Sequence, residues 1–173
     1  MIGCRLGPEE AYRFALGEEV RTSSGQRARL IRPLDFLVVA DHAANLGLAA
    51  MIAESNPELL KSEYGRKFHD LVKTGKGFDA FLLWGTEGVA KNTDVIDNPK
   101  MTRTVWDREI AFAEKYNDPG RFTAFIGYEW TSINTMKAPC NLHRVVIFKA
   151  ISGTRNEPSS RNSLNINRYF SPP

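Results

Sequence analysis

The residues that most narrow the fold of this chain are Phe36-Leu37-Val38-Val39-Ala40, a continuous apolar run that ends on Asp41-His42. A short run without polar alternation reads as a strand buried on both faces. Such strands belong to parallel α/β sheets or barrels, in which helices cover the outside and the residues just past each strand form the functional face. Asp41 and His42 fall at that position.

The rest of the chain alternates helix and strand around this run. Gly7-Pro8-Glu9-Glu10 opens a helix, with Pro at the first position and carboxylates where the helix dipole favours them; Ala11, Tyr12, Ala15 and Leu16 keep helical spacing up to a C-cap at Gly17. The polar stretch from Arg21 to Arg29 reads as a loop. Leu46 to Glu54 predicts a short helix, Pro57 starts another that runs on through Tyr64 and Leu71, and Phe78 to Val89 reads as helical. Asn98-Pro99 starts a stronger helix whose apolar face includes Val105, Trp106, Ile110, Phe112, Ala113 and Tyr116, stopped by Asn117-Asp118-Pro119-Gly120. Phe122 to Tyr128 and Leu142 to Phe148 predict two more strands. The first follows a helix, as in parallel units, and the second returns after a short link, as in an antiparallel fold-back. From residue 150 the composition turns to Ser, Asn, Arg and Pro, so the chain divides into a folded region 1–149 and an irregular tail 150–173.

Composition limits the partners. The 173 residues, 42% hydrophobic and 25% charged, suffice for one globular domain. A net charge of +3, spread among acidic residues, gives no support to nucleic-acid binding. The densest basic stretch, with Arg21, Arg27, Arg29 and Arg32, reads as a solvated loop, with an anion-facing loop as the alternative. Cys4 and Cys140 are the only cysteines and form no CxxC pair, which argues against a zinc ribbon or a thioredoxin-type redox motif and leaves a single disulfide open. No basic segment leads into an apolar one at the start, and no apolar stretch approaches the ~18 residues of a membrane span, so neither a signal peptide nor a membrane partner is expected.

Three residues could carry chemistry. His42 ends the first strand, and imidazole is a common ligand for transition metals that a neighbouring carboxylate such as Asp41 can orient; the bland alternative makes Asp41 a cap and His42 polar surface. Glu129, in Gly127-Tyr128-Glu129-Trp130, ends the second strand, where the alternative is an ion pair with an arginine. His143 opens the third strand, and the fold-back returns it beside Glu129. Strand alternation points Arg144 away from the face His143 uses. His69 lies in a helical segment and reads as surface.

These residues sit in blocks that resemble the family catalogued as domain of unknown function 3604. The resemblance is carried by Arg5-Leu6-Gly7-Pro8-Glu9-Glu10-Ala11-Tyr12-Arg13-Phe14-Ala15, by Arg32-Pro33-Leu34-Asp35 through Asp41-His42, by Asp97-Asn98-Pro99, by Ala113-Glu114-Lys115-Tyr116-Asn117, by Arg121-Phe122 through Trp130-Thr131, and by Asn141-Leu142-His143-Arg144-Val145-Val146-Ile147-Phe148. That family is similar to the PHP (polymerase and histidinol phosphatase) superfamily of metal-dependent phosphoesterases. The implied fold is α/β, a partial TIM-like, PHP-type β/α barrel that is incomplete. His42 and His143 would be metal ligands, Glu129 a carboxylate bridging two metals, and Asp41 a support for His42. The implied cofactors are divalent ions (Mn, Zn or Fe), and the substrate of a complete ancestor would be a small phosphate ester. The superfamily's opening His-x-His strand has no counterpart here, and the residues from Ala150 do not look like the family's continuation. The chain is therefore expected to be a fragment of such a hydrolase, inactive alone and able to self-associate through open barrel edges. The alternative expectation is a non-enzymatic truncated product or an interaction module that requires a partner chain.

Overall fold

A computed structural model of the chain describes residues 6–43, 45–89, 91, 95–134 and 140–148. The first helix, α1 (Pro8–Ala15), begins as its sequence dictates: the Glu10 carboxylate accepts a hydrogen bond from the Gly7 amide at 2.9 Å, and Gly17 reverses the chain with a φ of +83°. The stretch read as a loop contains a small antiparallel hairpin instead, β1 (Val20–Arg21) and β2 (Arg27–Ala28). Its turn explains the difference. Thr22 Oγ1 accepts from the Gln26 amide at 3.0 Å and Gly25 adopts a φ of +88°, so a polar run without an apolar pattern still folds back on itself.

The main sheet has the order β3-β4-β5, formed by Phe36–Val39, Thr123–Asn134 and Cys140–Ile147. β3 runs parallel to β4 with Phe36 opposite Thr123 and Val39 opposite Ile126, and β5 folds back antiparallel on β4. Between β3 and β4 lie the helices α2 (Leu48–Ala53), α3 (Glu63–Lys73), α4 (Gly77–Trp84) and α5 (Pro99–Tyr116). The helix expected to run on from Pro57 is broken by a short tight turn at Leu59–Lys61, after which Ser62 caps α3 by accepting the Gly65 amide at 2.8 Å. Asn98 caps α5 in the same way through the Met101 amide. The fold class is α/β; among the described residues the sheet does not close into a barrel.

Strand alternation gives the sheet two unlike faces. Leu37, Val39, Ala124 and Ile126 turn toward the helices and join a core with Tyr12, Leu59, Phe68 and Trp106. The other face carries Phe36, Val38, Phe125, Val145 and Ile147, of which Phe36 is 63%, Val145 55% and Ile147 51% exposed. The expectation that β3 is buried on both faces is thus corrected. A continuous apolar run needs two covering layers, and among the described residues helices supply one. The uncovered face is the one that a closed barrel would turn toward its interior. No helix among the described residues is long and apolar enough to cross a membrane.

Gly127 sits at the middle of this face. A Cβ there would lie 2.5 Å from the Val146 carbonyl oxygen and 2.7 Å from Val38 Cγ2, so a side chain must push two strands apart. Gly127→Ala is expected to lower stability by about 1–3 kcal/mol, the usual range for overpacking, as read from urea unfolding. An unchanged midpoint would show that the sheet is looser at this point than described.

Candidate functional site

The site is built by continuing the sheet past β3. The Glu129 amide donates to the Asp41 carbonyl at 2.8 Å and the Ala43 amide to the Glu129 carbonyl at 2.9 Å, which pairs His42 with Glu129 in parallel register. Thr131 pairs with His143 across β4 and β5. Residues paired across strands share a face, and so do residues two apart along one strand. His42, Glu129, Thr131 and His143 therefore occupy one face of the sheet, at the end where β3 finishes, and it is the face that also carries the exposed Phe36, Val145 and Ile147.

Three of these side chains are in contact. His143 Nδ1 lies 3.3 Å from Glu129 Oε1 and 3.0 Å from Thr131 Oγ1. Glu129 and His143 keep 31% and 45% of their side-chain surface open to solvent, whereas Thr131 is buried. His42 packs edge-on against the Trp84 ring, with centroids 5.9 Å apart, and Trp84 Nε1 donates to Asn45 Oδ1 at 2.8 Å. The indole thus ties the loop after β3 to the end of α4. Of the three residues expected to converge, the structure brings Glu129 and His143 together and places His42 on their face. Among the described residues no group of three or more His, Cys, Asp or Glu side chains closes around a point that could hold a metal ion.

Asp41, expected to support His42, has other neighbours. It lines a cleft of about 380 Å³ with Gly7, Phe14, Val20 and Val39, and its carboxyl faces that of Glu109 on α5. Adjacent strand residues point to opposite faces, so Asp41 goes with the helices while His42 goes with the open face. Glu109 is buried, and desolvation together with the Asp41 charge pushes its carboxyl up to about 8. Solvent reaches Asp41, yet crowding by the surrounding protein raises its pKa too, against a hydrogen bond from Glu109 that works the other way. Tyr12, whose hydroxyl donates to the Phe125 carbonyl at 3.3 Å, is pushed up to about 12, first by burial and then by the Glu109 charge.

His69 is not plain surface. Its side chain is 19% exposed, with Nε2 at 3.0 Å from Ser55 Oγ and Nδ1 at 3.0 Å from Asp70 Oδ1. The order hydroxyl, imidazole, carboxylate is that of a nucleophilic relay. The Ser55 and Asn56 amides, however, are already donated to the Ile52 and Met51 carbonyls, and Lys73 Nζ binds the Ala53 carbonyl beside them. Without amides to hold an oxyanion, the contact is a clasp between α2 and α3.

Thr131 and Glu109 were not singled out from sequence, although both left a signal. Thr131 is two residues beyond Glu129, hence on its face. Glu109 interrupts the apolar stripe of Val105, Trp106, Ile110 and Ala113, where a carboxylate needs a reason to be. Arg144 is exposed and, paired with Trp130, belongs to the face opposite His143, as alternation predicts.

A family model described as "Protein of unknown function (DUF3604)" matches residues 1–168. The match reaches well past residue 150, so the polar stretch there is part of the family's pattern rather than a departure from it. No curated protein and no solved structure matches the chain. A match over nearly the whole length makes this chain a member of the DUF3604 family.

Proposed function

We propose that the polar end of the open sheet face is part of a divalent-metal site of the phosphoesterase kind, in a partial β/α barrel of PHP type. His42 and His143 would ligate, and Glu129 would bridge or orient. The observation that carries this reading is the 3.3 Å contact between Glu129 on β4 and His143 on β5, with His42, just past β3, paired to Glu129. Two imidazoles and a carboxylate are a donor set suited to Zn, Mn or Fe. A divalent ion supplies Lewis acidity toward phosphoryl oxygens when bound. The chain's own residues would fix its place and leave the solvent-open side of His143 to a small phosphate ester. These three side chains are too few for a multi-metal centre, so one chain alone is expected to bind a single ion and to turn over phosphate esters negligibly.

Calorimetric titration with Zn²⁺ or Mn²⁺ tests this. One site is expected, weakened about tenfold or more by His143→Ala and by Glu129→Gln, in the range typical of lost ligands and their partners. Equal affinity in the variants and the parent would remove the metal reading. Robust ester hydrolysis that is lost in Glu129→Gln would instead show an active centre.

A second reading, an association module, is favoured by the exposure of Phe36, Val145 and Ile147 on one face. Under it the protein self-associates through this face. Sedimentation of Val145→Lys should then show a shift to monomer, whereas a monomeric parent would exclude it.

A further inference from the structure

We infer that Thr131 is a positioning residue which, with Glu129, holds the His143 imidazole with its proton on Nδ1 and so presents the Nε2 lone pair outward. The inference deepens the metal-site reading and rests on it only for the use of that lone pair. Nδ1 has two oxygen neighbours, Thr131 Oγ1 at 3.0 Å and Glu129 Oε1 at 3.3 Å. A hydroxyl can donate or accept, but an ionised carboxylate only accepts. Were Nδ1 bare, its lone pair would face the carboxylate and one of the two contacts would be repulsive. With a proton on Nδ1 both contacts are attractive, so the carboxylate and the hydroxyl, each accepting from Nδ1–H, together favour this tautomer. The hydroxyl then decides the ring's orientation. Thr131 is 2% exposed and β-branched, so its side chain has little freedom, while the Glu129 carboxylate is part-exposed and mobile about more bonds.

Two consequences follow for the site. A carboxylate that holds the far nitrogen of an imidazole raises the basicity of the near one, the arrangement common behind metal-ligating histidines. It also means that Glu129 acts on a metal partly through His143, with Oε1 engaged on the ring. A purely structural cross-strand pair would make neither the tautomer nor the metal affinity depend on a hydroxyl at position 131.

The test is made first on metal-free protein carrying ¹⁵N-labelled histidine, by two-bond proton–nitrogen correlation at a pH where the ring is neutral. His143 is expected to show a protonated Nδ1 and a bare Nε2. Thr131→Val, which keeps the shape and strand propensity of threonine, should lower the Nδ1–H population and weaken Zn²⁺ binding about tenfold. Thr131→Ser should restore both. A protonated Nε2 in the parent protein, or a Val variant with unchanged tautomer and unchanged Zn²⁺ affinity, overturns the inference. If the tautomer is as expected but Zn²⁺ fails to bind, the metal-site reading falls and the positioning role stands; if Zn²⁺ binds a ring protonated on Nε2, the reverse holds.

Discussion

Glu109→Gln is expected to stabilise the protein at neutral pH, against the usual direction of a core substitution. Glu109 is buried beside Asp41, and its carboxyl is pushed up to about 8 from the ordinary 4.5. The folded state therefore holds a proton that the unfolded chain releases above 4.5. The favourable contribution of this group is fully present below pH 4.5 and is lost as pH rises toward 8, because the unfolded state binds fewer protons throughout that window. At pH 7 the loss is on the order of 3 kcal/mol. Glutamine keeps the shape and a donor toward Asp41 without ever ionising. The variant should melt roughly 10 °C higher at pH 7, and its stability should be flatter than the parent's between pH 5 and pH 8. A variant with the same pH slope as the parent, or a lower midpoint at pH 7, would mean that the carboxyl pair is solvated or differently placed.

Trp106→Ala should cost about 3–5 kcal/mol, the range for truncating a buried aromatic. Trp106 is fully buried and packs edge-on against Tyr128 at 6.0 Å and obliquely against Phe148 at 5.9 Å, which joins α5 to the helix-covered face of the sheet. Its indole Nε1 is buried without a hydrogen-bond partner among the described residues. Trp106→Phe removes that orphaned donor while retaining a ring, so it should lose less than half as much as the alanine variant in urea unfolding. Equal losses would show that the indole N–H is in fact satisfied.

Much of the sheet was legible because its signals are local. The run from Phe36 to Ala40 announces β3, the break at Asn117-Asp118-Pro119-Gly120 ends α5, and the short link before His143 forces β5 antiparallel on β4. What periodicity could not carry was the number of layers. An apolar run looks the same whether its second face meets a helix or stands open, and Phe36 stands open. The hairpin at Val20–Ala28 was hidden because turn chemistry, rather than apolar spacing, makes it. At the site, His42 does fall just past β3, but Glu129 and His143 lie inside β4 and β5, which run longer than their apolar cores suggest, and Asp41 follows the opposite face because its position in the pleat differs by one residue. Thr131 was within reach of the same alternation rule, since it needs only the register of β5 against β4 to meet His143.

The central proposal is that the sheet face which carries His42, Glu129 and His143 takes up a divalent cation beside the Glu129–His143 contact. Paramagnetic broadening of backbone amide signals by substoichiometric Mn²⁺ tests it most directly. The account predicts that the amides of His42, Glu129, Thr131 and His143 broaden first, while those of Glu63, Lys67 and Asp107, at exposed charged sites on α3 and α5, persist. Broadening centred on the helix carboxylates, or spread evenly over the surface, would contradict it.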